Sequence, residues 1–151
     1  MRTPSFTLLA LLLALSTALA GPQAEQISIL SETLIMQDRT GDVIFEGKVR
    51  VSLPDADVSC DRLTVRTSRE DLSRVLSGTA TGHVVLTREM DRVEADEAHF
   101  DLIENTVELT GSPRLSREGT SVEAERIIYR LEKGTATFFG PVRAVFVTPG
   151  Q

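Results

Sequence analysis

A chain of 151 residues with 22 acidic and 16 basic side chains and a formal net charge of −6 has the length of one domain with one core, and its negative surface repels nucleic acid. One cysteine, Cys60, leaves no partner for an intramolecular disulfide, so burial alone must hold the fold even in an oxidising compartment.

The chain opens with Met1-Arg2, an apolar run from Leu8 to Leu15, and Ala18-Leu19-Ala20 ahead of Gly21-Pro22. That is the layout of a secretory signal peptide over residues 1–20, with cleavage expected after Ala20 and a single domain over 21–151. The run is shorter than the roughly 20 apolar residues that span a bilayer, and an uncleaved anchor is the alternative reading. Cleavage removes one Arg and leaves 15 basic and 22 acidic residues, a net charge of −7. No lipid-attachment cysteine follows the cleavage site, so the mature protein is expected to be soluble.

From there one unit recurs four times. Segments beginning at Ile29, Val58, Val93 and Val122 open alike, 29, 35 and 29 residues apart, and each reaches a glycine inside an alternating pattern, at Gly47, Gly82, Gly111 and Gly140. The second unit has six extra residues, in the polar stretch Ser68-Arg69-Glu70-Asp71-Leu72-Ser73. Tight turns are expected at Thr40-Gly41-Asp42, Glu104-Asn105 and Lys133-Gly134. After the first, Val43, Phe45, Gly47, Val49 and Val51 share one face against Glu46, Lys48 and Arg50. The third unit sets Val107, Leu109, Gly111, Pro113 and Leu115 against Glu108, Thr110 and Arg114, and the fourth sets Ala136, Phe138, Gly140, Val142, Ala144 and Phe146 against Thr137, Phe139 and Arg143. This is strand alternation with one apolar face.

The first arm of each unit breaks parity once: Val58, Cys60, then Leu63, Val65; Val93, Ala95, then Ala98, Phe100, Leu102; Val122, Ala124, then Ile127, Tyr129, Leu131. An extra residue that restores the apolar face marks a bulge or bent corner, and the glycine of the second arm fits the same corner, where a side chain lacks room. Each unit is therefore a hairpin of two long bent arms. Four units predict an all-β, solenoid-like meander of eight arms in two facing sheets with an apolar lining, on the order of 40 Å long at about 4.8 Å per strand.

Residue types that could carry chemistry have structural readings. Cys60 occupies a unit position filled elsewhere by Ser31, Ala95 and Ala124, which reads as a small inward residue. His83 and His99 fall outward without clustered ligands, so no metal site is expected. Glu32, Asp61, Asp96 and Glu125 recur once per unit, without the Gly- and Asp-rich spacing of calcium-binding β-rolls, and read as outward corner residues. Gly41 to Lys48 has one residue too many between its glycines for a phosphate-binding loop and no Ser or Thr after the lysine. No unit departs from its pattern to assemble a nucleophile, base and orienting partner, so neither an enzyme nor a cofactor is expected.

The stretches "ISILSETLIMQDRTGDVIFEGKVRV", "VSCDRLTVRT" and "VEADEAHFDLIENTVELTGSPRL" resemble the LptA/OstA-like family over about Ile27 to Val147. The signature is an alternating arm, a tight turn, x-V-x-F-x-G-x-V-x-V, and an acidic-plus-small motif opening the next arm. The resemblance implies a bent β-jellyroll in the periplasm of a Gram-negative bacterium that carries lipopolysaccharide between an inner-membrane anchored complex and an outer-membrane translocon, with acyl chains sheltered between the sheets. On that reading the interior residues Phe45, Val49, Leu63, Val65, Phe100, Leu102, Leu109, Tyr129 and Phe138 meet lipid. The weakly charged terminal arms, with Ile27 and Ile29 at one end and Ala144, Val145 and Phe146 at the other, are expected to join copies head to tail or to pair with partner jellyrolls. The anchored partner of the same system, and a β-repeat adaptor that binds proteins and no lipid, are the alternatives.

Overall fold

The computed structural model describes residues 26–71 and 73–148, so the expected signal peptide and its cleavage site lie outside the described residues. Twelve strands follow in chain order: β1 Ser28–Leu30, β2 Thr33–Gln37, β3 Asp42–Ser52, β4 Asp57–Thr67, β5 Val75–Arg88, β6 Asp91–Asp101, β7 Thr106–Thr110, β8 Arg114–Arg117, β9 Thr120–Glu123, β10 Arg126–Arg130, β11 Thr135–Phe139 and β12 Arg143–Val145. They are the eight expected arms. Four arms (β3, β4, β5 and β6) run unbroken for 11 to 14 residues. The other four are interrupted at the corner and count twice, as β1 with β2, β7 with β8, β9 with β10 and β11 with β12.

All pairings are antiparallel and join neighbouring arms, as a meander requires. The corner divides each arm into a segment in a first layer and a segment in a second. In the first layer the register aligns Leu34, Phe45, Leu63, Ala80, Ala98, Leu109, Ile127 and Phe138 as one inward rung. In the second it aligns Val58 with Leu86, Leu86 with Val93, Val93 with Leu115, and Leu115 with Val122. A one-residue slip would turn each set to water, so burial specifies the register. Outward residues pair by charge across strands, with Arg66 to Asp42 at 3.2 Å, Arg62 to Glu46 at 3.6 Å and Arg114 to Glu123 at 3.8 Å.

The bend has a residue-level cause. Between β3 and β4 the register jumps from Glu46↔Arg62 to Val49↔Cys60, so Gly47 and Lys48 face the single residue Asp61. The same jump separates Thr81 from Val84 on β5 against β6. At Gly82 the backbone has φ +80, and an added Cβ would collide with the Asp61 side chain. Only glycine meets both demands. The corner acid of each unit lies over that unit's own corner glycine: Glu32 over Gly47, Asp61 over Gly82, Asp96 over Gly111 and Glu125 over Gly140. These carboxylates are exposed and outward, as expected, but they also cover the bend. The expected turns carry positive φ at Gly41, Asn105 and Gly134, and the described residues 68–71, 73 and 74 of the second unit lie in the loop between β4 and β5.

Candidate functional site: a cleft graded from corner to lip

The two layers enclose one apolar cluster that contains Val49, Val51, Cys60, Leu63, Val65, Ala80, Val84, Ala95, Ala98, Leu109, Ala124 and Ile127. Its members concentrate in the rungs beside the corner. There the second layer carries small residues, Cys60, Ala95, Pro113 and Ala124, which let the layers approach closely where the chain turns over. Burial pushes the Cys60 thiol up to about 11, and the neighbouring Asp61 carboxylate adds to the shift, so the buried thiol is not a nucleophile at neutral pH.

The next rung of the first layer holds more half-buried residues, although Val65 in it stays buried. It aligns Met36, Val43, Val65, Gly78, Phe100, Val107, Tyr129 and Ala136, and of these Val43, Phe100, Val107 and Tyr129 are half-buried. The corresponding second-layer residues Val58, Leu86, Val93, Leu115 and Val122 are half-buried too. Between the layers lies an apolar cleft lined by half-buried side chains from both.

The residues expected to meet lipid differ in exposure within each rung, with Val65 of the outer rung buried and Phe45 and Phe138 of the rung beside the corner half-buried. Val49, Leu63, Val65 and Leu109 are 1, 3, 5 and 5% exposed and form closed core. Phe45, Phe100, Tyr129 and Phe138 are half-buried and face the cleft. Leu102 follows the last residue of β6 and is 40% exposed at the lip; its backbone N–H donates to the Leu76 carbonyl of β5 at 2.9 Å, continuing the pairing of the two arms. Val43, Leu86, Val93, Val107, Leu115 and Val122 line the cleft without having been singled out. Their alternation was visible in sequence, whereas their access depends on how the layers splay. Phe100 lies flat across Gly78 of the neighbouring strand, and an added Cβ there would meet the ring.

Arg88, Asp91 and Arg117 sit at the second-layer lip on the inward parity of Leu86, Val93 and Leu115, and the register pairs Arg88 with Asp91 and Asp91 with Arg117. Arg117 holds Asp91 through Nε to Oδ1 and through Nη2 to Oδ2 at 2.6 Å, and this hydrogen bonding keeps the Asp91 carboxyl below the usual range, with Arg88 adding to the effect. Arg88 donates across the cleft through Nη1 to the Tyr129 hydroxyl at 3.3 Å and pairs through Nη2 with Asp55 at 3.1 Å.

At the two ends of the stack backbone edges are open. Among the described residues, β1 and β2 pair only with β3, β11 only with β10, and β12 only with β9. Apolar side chains crowd both ends: Ile27, Leu30, Leu34, Ile35 and Met36 at one, and Phe139, Val142, Val145, Phe146 and Val147 at the other, all exposed. Of the expected edge residues, Ile29 lies in β1 and Ala144 and Val145 in β12, while Ile27 and Phe146 flank those strands at 52 and 71% exposure.

Comparison with known proteins agrees with this architecture. The crystal structure of LptH, the LptA-homologous periplasmic component of the lipopolysaccharide transport device of Pseudomonas aeruginosa, superposes with a TM-score of 0.70 at 14% identity, covering 82% of this chain and 96% of that one, which establishes a shared fold. No curated protein matches the chain. Residues 28–144 match the family described as LptA/(LptD N-terminal domain) LPS transport protein, which spans all twelve strands but for the last residue of β12, and the chain belongs to that family of lipopolysaccharide transport proteins.

Proposed function

We propose that this chain binds the acyl chains of lipopolysaccharide in its cleft and passes the lipid along a periplasmic bridge between inner-membrane and outer-membrane partners. The observation that carries the reading is the lining: half-buried valines, leucines and aromatic rings run through all four units and end at exposed apolar residues at both ends of the stack. Sheltering an acyl chain from water is worth about 0.8 kcal/mol per methylene, so a lining repeated along four units offers similar binding at each step and lets the lipid advance. Accessible lining, rather than closed core, supplies that shelter; Phe45, Phe100, Tyr129 and Phe138 are assigned to lipid and Val49, Leu63, Val65 and Leu109 to holding the layers together.

The open edges extend the same reading to assembly. The last arm of one molecule adds to the first arm of the next, or to a partner's jellyroll, through unpaired backbone groups and the apolar residues around them. The contact is head to tail and can repeat. Residues 1–20 direct export, and the mature protein begins at Gly21. Intact-mass measurement of the exported protein tests this, because retention of residues 1–20 would assign it the role of an anchored partner.

Photo-crosslinkers at Phe100, Tyr129 and Phe138 are expected to capture lipopolysaccharide, while crosslinkers at outward Lys48, Glu108 and Arg143 are not. Equal labelling of both faces, or none at the lining, would refute the cleft as the lipid path.

A further inference from the structure

The lip of the second layer departs from the apolar lining in a way the repeat does not require. Its inward rung continues Val84, Leu86 into Arg88, Leu115 into Arg117 and Val93 back into Asp91, whereas in the first unit the same rung is occupied by Leu53 and Ala56. Two guanidiniums thus replace apolar side chains at a rim of the lining, where a bound lipid's polar end would meet water. Asp91 stands between them in register and orients Arg117 through two parallel hydrogen bonds. Arg88 spans the cleft to Tyr129, itself a lining residue of the opposite layer, so whatever enters between the layers at this point must meet that guanidinium.

From this arrangement we infer that Arg88 and Arg117 form a phosphate-monoester subsite for the headgroup of a phosphorylated, acylated glycolipid whose chains lie in the cleft. The inference rests on the proposed lipid reading and adds the headgroup chemistry. A guanidinium presents paired donors that match a phosphate's oxygens, and the Arg88 bonds to Tyr129 and Asp55 are exposed ones that a doubly charged anion can displace. The four carboxylates of Asp55, Glu89, Asp91 and Glu118 lie near these two arginines, so the lip carries a local excess of negative charge and repels anions at a distance. Recognition therefore operates at contact, once acyl chains have brought the headgroup to the lip and raised its local concentration. A free phosphate lacks that help and is expected to bind too weakly to detect.

Binding of three probes to the mature chain tests this: bis-phosphorylated lipid A, the same lipid enzymatically stripped of its phosphates, and inorganic phosphate. Arg88→Gln and Arg117→Gln are each expected to weaken the phosphorylated lipid by about tenfold, the scale of a lost hydrogen bond to a charged group, while leaving the stripped lipid unchanged. The unchanged binding of stripped lipid also shows that the variants are folded. Arg62→Gln, on the outer face, is expected to alter neither. Equal binding of the phosphorylated lipid by wild type and both lip variants would overturn the subsite and leave the cleft reading standing. Failure of the wild-type chain to bind either lipid would overturn the cleft reading and the subsite with it. Inorganic phosphate that shifts the Arg88 and Arg117 side-chain NMR signals, with the two lipids bound alike, would assign the pair to a free anion and overturn the headgroup assignment.

Discussion

The middle of the stack and its ends are made from the same repeat, yet they solve different problems. In β3 to β6 the arms pass through the corner without interruption, have a neighbour on both sides, and contribute Val49, Leu63, Val65, Ala80, Val84, Ala95 and Ala98 to the closed cluster. In the terminal arms the strands shrink to between 3 and 5 residues and the same alternation leaves the inward residues Leu34, Met36 and Ala144 exposed. Sequence pattern alone therefore does not make core; a neighbour on each side does. Where the neighbour is missing, the pattern becomes a surface prepared for another strand.

The sharpest test of this contrast is to remove equal chemistry from each region. Ile127→Ala, at a position 3% exposed, is expected to cost about 3 kcal/mol in denaturant unfolding, while Phe146→Ala, at 71% exposed, should cost less than about 0.5 kcal/mol. Similar losses would mean that the ends are as packed as the middle. Next in size, Gly82→Val forces a β-branched residue into φ +80 against Asp61 and should destabilise by at least about 2 kcal/mol, measurable as a lowered melting temperature. A neutral result would remove the corner from the account of the bend. At the ends, Val145→Pro deletes a backbone donor and is expected to change stability by less than about 1 kcal/mol while reducing self-association in light scattering or partner capture in pull-down. A folded variant that associates normally, with β1 tested in turn, would rule out strand addition.

The smallest effect belongs to the lip. Asp91 is held below its ordinary pKa by Arg117, so the pair stabilises the fold above the unfolded carboxylate value of about 3.9 and loses that contribution as pH falls through the depressed folded value. Because Arg117 is largely exposed, the contribution is expected to stay below about 1 kcal/mol. Asp91→Asn should thus lower stability slightly at pH 7 and match the wild type near pH 2. A deficit that persists at low pH would trace the effect to packing and not to charge.

Much of this was legible in the residues. The parity break between Cys60 and Leu63 marked the corner, the positions of Gly47, Gly82, Gly111 and Gly140 marked its other side, and Gly41, Asn105 and Gly134 marked the tips. The pairing of acid with glycine was present as a spacing: 15 residues separate Glu32 from Gly47, Asp96 from Gly111 and Glu125 from Gly140, and the 21 from Asp61 to Gly82 differ by the six-residue insertion. Alternation could not rank the inward residues by access: Leu63 and Phe45 pair directly in one rung, yet Leu63 is buried and Phe45, next to the terminal arm, is half-buried. Nor could it foresee Arg88 reaching Tyr129, a contact between residues 41 apart that depends on both layers being in place.

Each corner glycine is covered by the acid of its own hairpin and bulges against the acid that opens the next, so every joint is built from the same repeated parts. Length thereby becomes a countable variable. Gaining or losing one unit would change the stack by about 10 Å, two strand spacings, without redesigning any joint, and an insertion such as residues 68–73 is absorbed at a tip without disturbing the rungs. A lineage that must match a conduit to the width of the space it crosses can do so by duplicating or deleting hairpins, with the path for the cargo extended in phase each time.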